Sequence, residues 1–313
     1  MTIKDLKISC GLPSKEANLL VSFVLQQSLT YVLAHPDQEL SAAQLKKFQN
    51  YAKRRLKGEP LAYITGHQEF FGLDFLVNKH TLIPRPETEL MVEEAIDILT
   101  REQGNKRTII DVGTGSGCII TALAHNIKPP VIPAKAGIQT PSHNIIDSRL
   151  RGNDNIECTN NIKFIAIDIS ADALKVAKKN ARLNNVEKKI KFNHGNLLEP
   201  ILSKPCYLLP DMCYLICANL PYLTPTQVEN SPTIKYEPKS ALISGPDGLD
   251  HYRELFTQVK KLSKNHITIL CEIDDTQCAS MIRLIKKELP NAQFEIKKDL
   301  SGYDRLAVIS CNA

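Results

Sequence analysis

The chain has 313 residues, 43% hydrophobic and 23% charged, with 18 Pro and 14 Gly, which at about 150 residues per domain is room for two domains with a sizeable core. That composition excludes a disulfide-stapled miniprotein, a collagen-like chain and a wholly disordered one, and a net charge of +5 is too mild to mark the whole surface as a nucleic-acid binder. No apolar run approaches the roughly 20 residues that span a bilayer, and MTIKDLKISCGLPSK has no signal-peptide core, so a soluble, cytoplasmic protein without a membrane partner is expected.

Residues 1–65 read as a small helical domain. Leu20, Val24, Leu25, Leu29, Val32 and Leu33 repeat at helical spacing until His35-Pro36, because a proline disfavours helix in the residue before it. Ser41 followed by Gln44 has the form of a capping box, and Leu45, Phe48, Ala52 and Leu56 then mark one face up to Gly58. The basic cluster Lys53, Arg54, Arg55 and Lys57 reads as the solvated end of that helix. Residues 66–85 form a hairpin or bridge, since AYITG and EFFGLDFLV are aromatic and β-branched and are punctuated by Gly66 and Gly72. Pro86 opens the next helix at a first-turn position, where its missing N–H costs nothing.

Residues 86–313 form the larger domain. Candidate strands are TIIDVG, KFIAIDI, KIKFNHG, YLICANL, HITILCEI, AQFEIKK and RLAVIS, and helices fit at about 116–126, 171–183, 248–262 and 275–288. Short apolar runs alternating with helices indicate an α/β fold with a mainly parallel sheet covered on both faces. In such sheets ligands bind at the carboxyl ends of the strands, beside the switch point in strand order.

One segment breaks this rhythm. Residues 129–160, rich in Pro, Asn and Gly and without strand or helix periodicity, stand where a short loop is expected. The peptide VIPAKAGI, 131–138, can be encoded by GTC ATT CCC GCG AAG GCG GGA ATC, whose reverse complement translates as DSRLRGND, the sequence at 147–154. Eight codons agreeing in register point to a DNA inverted repeat inserted in frame, similar to the mobile palindromic repeats translated in some bacterial genomes. The segment is expected to be disordered and to carry no chemistry.

Three constellations carry chemistry. The first is Asp111, Gly113, Thr114, Gly115, Ser116 and Gly117, where an apolar strand runs into a glycine-rich turn and then a helix. Such a turn lets backbone approach a cofactor closely and should leave free N–H groups at the helix start. Its G-x-G-x-G form differs from the dinucleotide fingerprint. The second is Asp168, closing the strand FIAID, where a carboxylate can accept both ribose hydroxyls of an adenosyl cofactor about 20 residues beyond the glycines. It lies 51 residues beyond Gly117, and 19 once the 32 residues of 129–160 are taken out. Capping of the helix that starts near Ser170 is the structural alternative for Asp168.

The third is Asn219, Leu220, Pro221 and Tyr222, closing the strand YLICA. An amide or exocyclic amine that accepts a methyl group needs acceptors for its N–H groups that also aim its lone pair. The Asn219 carboxamide oxygen and the Leu220 main-chain carbonyl suit that task, Pro221 stiffens the turn and Tyr222 offers a stacking face. With the sulfonium of S-adenosylmethionine as leaving group, orientation and desolvation suffice and no general base is required in the first step. Nine cysteines, an odd number with no C-x-x-C pair, argue for buried reduced thiols rather than a zinc site, so no metal is expected.

With these residues in hand the chain resembles the HemK/PrmC family, the bacterial peptide chain release factor glutamine N5-methyltransferases. The resemblance runs from GEPLAYITGHQEF and TLIPRPETE through DVGTGSG, AIDIS and ANLPY to YEPKSALISGPDGLD and GYDRLAVI. It implies a class I, Rossmann-like methyltransferase domain with a seven-stranded sheet, a helical domain that recognises substrate, S-adenosylmethionine as cofactor, and methylation of the glutamine in the Gly-Gly-Gln motif of class 1 release factors. It further implies that Asp111, Gly113 to Gly117 and Asp168 hold the cofactor and that Asn196 and Leu197 lie by its adenine. Arg85 and Glu87 then close the cofactor side, and Asn219 to Tyr222 grip the glutamine, with Asn219 also reaching the cofactor. Leu220 replaces the usual first proline of NPPY, and Leu197 stands where the family often has an aromatic residue. A monomer that binds no nucleic acid directly is expected. The alternatives are glutamine methylation of a ribosomal protein, adenine N6-methylation of RNA or DNA, since NLPY also occurs in adenine-dimethylating ribosomal RNA enzymes, and a cofactor-binding module without catalysis.

Overall fold

The computed structural model describes residues 1–101, 107–127, 162–204, 213–231, 234–262 and 266–311. The segment 129–160, with both arms of the inverted repeat, lies outside the described residues.

The N-terminal unit consists of α1 (Ile3–Ser9), α2 (Ser14–Leu25), α3 (Leu29–Ala34), α4 (Ala42–Leu56) and α5 (Leu61–Thr65), around a core that includes Ile3, Leu20, Val32 and Phe48. The capping box at Ser41 is present: Ser41 Oγ accepts the Gln44 N–H at 3.3 Å, and the Ser41 N–H donates to Gln44 Oε1 at 2.9 Å. Two expectations need correction. The apolar run from Leu20 to Leu33 is two helices, because Gln26 turns left-handed at φ 53° and Ser28 caps a new start by accepting the Tyr31 N–H. That reset turns Val32 into the core and leaves Leu29 and Leu33 exposed, and Leu56, in the last turn of α4, is exposed as well. AYITG is the helix α5 and not a strand: Pro60 supplies a preset φ before its first turn, and Gly66 at φ 79° ends it.

A hairpin follows, β1 (His67–Phe70) paired antiparallel with β2 (Leu73–Leu76). Its two-residue turn needs positive φ at both positions, which Phe71 (53°) and Gly72 (72°) adopt. The non-glycine member is held from outside, since the Phe71 N–H donates to Glu89 Oε1 at 2.8 Å. A 3-10 turn with Pro86 at its start, Pro86–Thr88, then leads into α6 (Glu89–Arg101).

The main body comprises β3 (Arg107–Val112), α7 (Cys118–Asn126), β4 (Ile162–Asp168), α8 (Ala171–Leu183), β5 (Ile190–His194), α9 (Glu199–Leu202), β6 (Cys213–Ala218), α10 (Pro225–Asn230), α11 (Asp250–Val259), β7 (His266–Glu272), α12 (Cys278–Glu288), β8 (Gln293–Lys298) and β9 (Asp304–Cys311). The sheet has seven strands in the order β5-β4-β3-β6-β7-β9-β8, parallel except for β9, which runs antiparallel to both its neighbours. Alternate residues of each central strand feed two separate cores: Ile110, Ile165 and Ile216 on one face, Ile109, Phe164 and Leu215 on the other. Cys118, Cys217 and Cys271 are buried free thiols within these layers. Among the described residues no helix is long and apolar enough to cross a membrane.

Besides Glu89, two side chains tie the hairpin to the sheet domain, Asn184 at the C-cap of α8, which donates to Asp74 O at 3.0 Å, and Asn180. Asn180, fully buried on α8, accepts the Leu76 N–H at 2.7 Å and donates to Leu76 O and to Ser116 O. It thereby fixes the position of the bridge against the glycine-rich turn.

Candidate active site

Strand order reverses at β3, which has β4 on one side and β6 on the other. The turn after β3 and the turn after β6 leave the sheet side by side, with Val112 opposite Ala218. Between them lies a cavity of about 270 Å³, lined by Gly113, Thr114, Gly115, Ser116, Asp168, Asn196, Leu197, Asn219, Leu220 and Pro221, and roofed by the bridge residues Lys79, His80 and Arg85. Eleven of the fifteen residues singled out from sequence therefore meet at one place, counting Arg85. Asp111, Gly117, Glu87 and Tyr222 do not line it.

The glycine turn is closed by its own bonds. The N–H groups of Gly113 and Thr114 both donate to Ile167 O at 2.9 Å, the Gly117 N–H donates to Thr114 O, and the Gly115 N–H donates to Asp168 Oδ2 at 2.8 Å. These loop N–H groups are thus already used, while the start of α7 itself has no side-chain cap at Gly117. All three glycines have positive φ, and a Cβ on Gly117 would stand 2.9 Å from Ala177 Cβ. Asp111 sits beneath the turn, 1% exposed, accepting the Thr114 hydroxyl at 2.6 Å and the Ile120 N–H. Burial pushes its pKa up to about 7. It braces the loop from below rather than reaching the cavity.

Asp168 has both oxygens engaged with backbone, Oδ2 with Gly115 and Oδ1 with the Ser170 N–H at 2.8 Å. Burial raises its pKa, opposed by those two N–H groups. Helix capping falls to Ser170, whose hydroxyl accepts the Ala173 N–H. Each Asp168 oxygen keeps a further lone pair, and the residue lines the cavity.

On the other wall the Asn219 amide nitrogen donates to Thr88 Oγ1 at 3.1 Å, and no donor among the described residues meets its oxygen. Leu220 is buried, its side chain against the space that a Cβ on Gly113 would fill at 3.0 Å. Tyr222 points away from the cavity, its hydroxyl donating to Glu272 Oε1 at 3.2 Å, and burial holds its pKa well above the ordinary phenol range. The Tyr222 carbonyl accepts from Gln277 Nε2 at 2.7 Å, and Gly248 packs so closely there that a Cβ would lie 2.1 Å from the carbonyl oxygen. The GPDGL stretch therefore clamps the NLPY turn.

Arg85 pairs with the buried Glu237, which also accepts the Ile83 N–H at 3.0 Å. Glu87 is exposed and outside the cavity, so only one of the two expected closing residues is in place. Asn196 donates to Glu254 on α11, and Leu197, at φ 48°, turns its buried side chain to the cavity wall.

The release factor glutamine methyltransferase of Coxiella burnetii is 32% identical to this chain over 297 residues, covering 95% of this chain and 91% of that protein. This chain belongs to the release factor glutamine methyltransferase family. Within that family, residues 4–66 match the PrmC N-terminal domain. The bifunctional methyltransferase of Rickettsia prowazekii is 31% identical over 325 residues, 97% of this chain and 54% of that protein, so the chain spans about half the length of these longer relatives. In fold, the human METTL16 catalytic domain, solved with an RNA hairpin, superposes at a TM-score of 0.51 with 14% identity, covering 87% of this chain and 82% of that one. That likeness shows a class I methyltransferase architecture and nothing about substrate.

The cofactor of this family is S-adenosylmethionine, and the cavity fits its adenosyl part. A buried carboxylate with spare lone pairs, a turn bare of side chains, and the apolar walls of Leu197 and Ile169 meet in one space. Sequence reasoning did not single out Thr88, Glu237, Glu272 or Gln277. Thr88 and Glu237 stand inside the quoted motifs PRPETE and YEPKS, which was the available signal.

Proposed function

We propose that this protein transfers the methyl group of S-adenosylmethionine to the side-chain amide nitrogen of the glutamine in the Gly-Gly-Gln motif of class 1 release factors, in the cytoplasm. The observation that carries this reading is Asn219, which lines the same cavity as Asp168 with its amide nitrogen tied to Thr88 and its oxygen met by no donor among the described residues. When bound, the cofactor supplies an activated methyl group on a positively charged sulfur. Asp168 accepts the ribose hydroxyls and the glycine turn offers a surface for close approach. The Asn219 oxygen and the Leu220 main-chain carbonyl accept the N–H groups of the glutamine amide, which points its nitrogen at the methyl donor. Leu220 and Pro221 keep water from the reacting centre, so positioning and desolvation carry the step. Residues 1–65 dock the body of the release factor, 66–85 bridge, and 86–313 hold the chemistry, in a single protomer.

Adenine methylation finds less support, because Arg54 and Arg55 of the basic cluster are paired with Glu59 and Glu16, which offset the local positive charge that phosphates would need. The deciding experiment is mass spectrometry of a Gly-Gly-Gln release factor after incubation with protein and cofactor. A methyl increment on that glutamine is expected. An unmodified glutamine in a factor that a known release factor methyltransferase does modify overturns the reading, and an increment on a ribosomal protein or on adenine replaces it.

A further inference from the structure

A carboxamide can face a cavity with either its oxygen or its nitrogen. The two ends are nearly the same size, so packing does not choose between them, and a hydrogen-bond partner behind the group must. For Asn219 that partner is Thr88, 1% exposed at the end of the 3-10 turn Pro86–Thr88, with Oγ1 at 3.1 Å from Asn219 Nδ2. In the structure that bond runs from the Asn219 amide nitrogen, which only donates, to Thr88 Oγ1, so Thr88 occupies the nitrogen end of the carboxamide and leaves the oxygen end without a protein donor among the described residues.

We propose that Thr88 is a positioning residue for methyl transfer, holding the Asn219 carboxamide with its oxygen toward the acceptor amide. The proposal rests on the reading of Asn219 as the group that grips the glutamine. A misplaced carboxamide would offer an N–H where the acceptor itself has N–H groups, so both would lose their partner and the lone pair its aim.

The test compares Thr88→Val, which keeps the shape and loses the hydroxyl, with Thr88→Ser, which keeps the hydroxyl. Thr88→Val should lower kcat on the release factor by about 10- to 100-fold while KM and the cofactor Kd stay largely unchanged. Thr88→Ser should restore most of the kcat. A Thr88→Val protein with wild-type kcat, or a Thr88→Ser protein as impaired as Thr88→Val, overturns the proposal. A second readout needs no substrate: the NMR signals of the Asn219 side-chain amide, identified by their loss in Asn219→Ala. They should show a proton protected from exchange in the wild type and lose that protection in Thr88→Val. Unchanged protection also overturns the proposal. If the wild type methylates no Gly-Gly-Gln protein, the substrate reading falls and the NMR comparison alone decides the role of Thr88.

Discussion

Asp168, at the end of β4, accepts the Gly115 N–H at 2.8 Å from the turn after β3, a bond across 53 residues of sequence. The same carboxylate that should take the ribose hydroxyls therefore also fixes the shape of the glycine turn.

Asp168→Ala should raise the cofactor Kd by at least about 10- to 150-fold, the equivalent of one charged hydrogen bond worth about 1.5–3 kcal/mol. Asp168→Asn keeps an acceptor for one N–H and should lose less. Isothermal titration with cofactor checks both, and equal losses in the two variants would remove the loop-shaping part of the argument.

Asn219→Ala should abolish methyl transfer and leave cofactor affinity close to wild type, because the carboxamide is tied to Thr88 and faces the acceptor side. Turnover and titration on the same preparation separate the two effects. A large rise in Kd would reassign Asn219 to the cofactor.

Asp111 should make stability depend on pH in an unusual direction. Its folded pKa, about 7, lies above the ordinary carboxyl value, so the folded state binds the proton more tightly than the unfolded one. The stability it contributes is present below about pH 4 and is lost as pH rises through about 7. Urea melts at pH 5 and pH 8 should show wild type losing stability relative to Asp111→Asn, which does not titrate. No change in that difference between the two pH values would refute the raised pKa.

Glu237 joins the bridge to the segment beyond the NLPY turn through the Ile83 N–H and Arg85. Glu237→Ala should cost about 1–3 kcal/mol, chiefly from the buried Ile83 N–H left without an acceptor. Arg85 is partly exposed and can return to water, so the lost ion pair adds little. Glu237→Gln keeps an acceptor for Ile83 and should recover most of the loss, read as a shift in urea midpoint at constant slope.

Deleting residues 131–154 should leave turnover unchanged and stability equal or slightly higher. The described ends of that connection are Ile127 after α7 and Ile162 at the start of β4, opposite Arg107 at the start of β3. They lie at the amino ends of the strands, away from the cavity. Each doubling of loop length costs only about 0.6 kcal/mol, so shortening returns little. A deletion variant that folds and binds cofactor but cannot methylate would assign the segment a role in docking substrate.

Features governed by neighbouring residues were legible in the sequence. The Ser41–Gln44 capping box, Pro86 at a helix start, the β-branched strands between helices and the glycine turn each follow from bonds or periodicities that close within a few residues. The same locality explains the errors. A helical period continues on paper through Gln26, but the left-handed turn there is chosen by the packing of α2 and α3, and AYITG becomes a helix because Pro60 and Gly66 bound it on both sides.

The site divides in the same way. That Asp168 and the Asn219–Tyr222 turn end strands, and so face one edge of a parallel sheet, could be read from apolar runs and their last residues. Which side chains stand behind them could not. Thr88 meets Asn219 across 131 residues, and Arg85 meets Glu237 across 152. Such pairs exist only once the strand order has brought the turn after β6 beside the bridge, because a hydrogen bond needs its partners within about 3 Å and nothing in the intervening sequence encodes that distance.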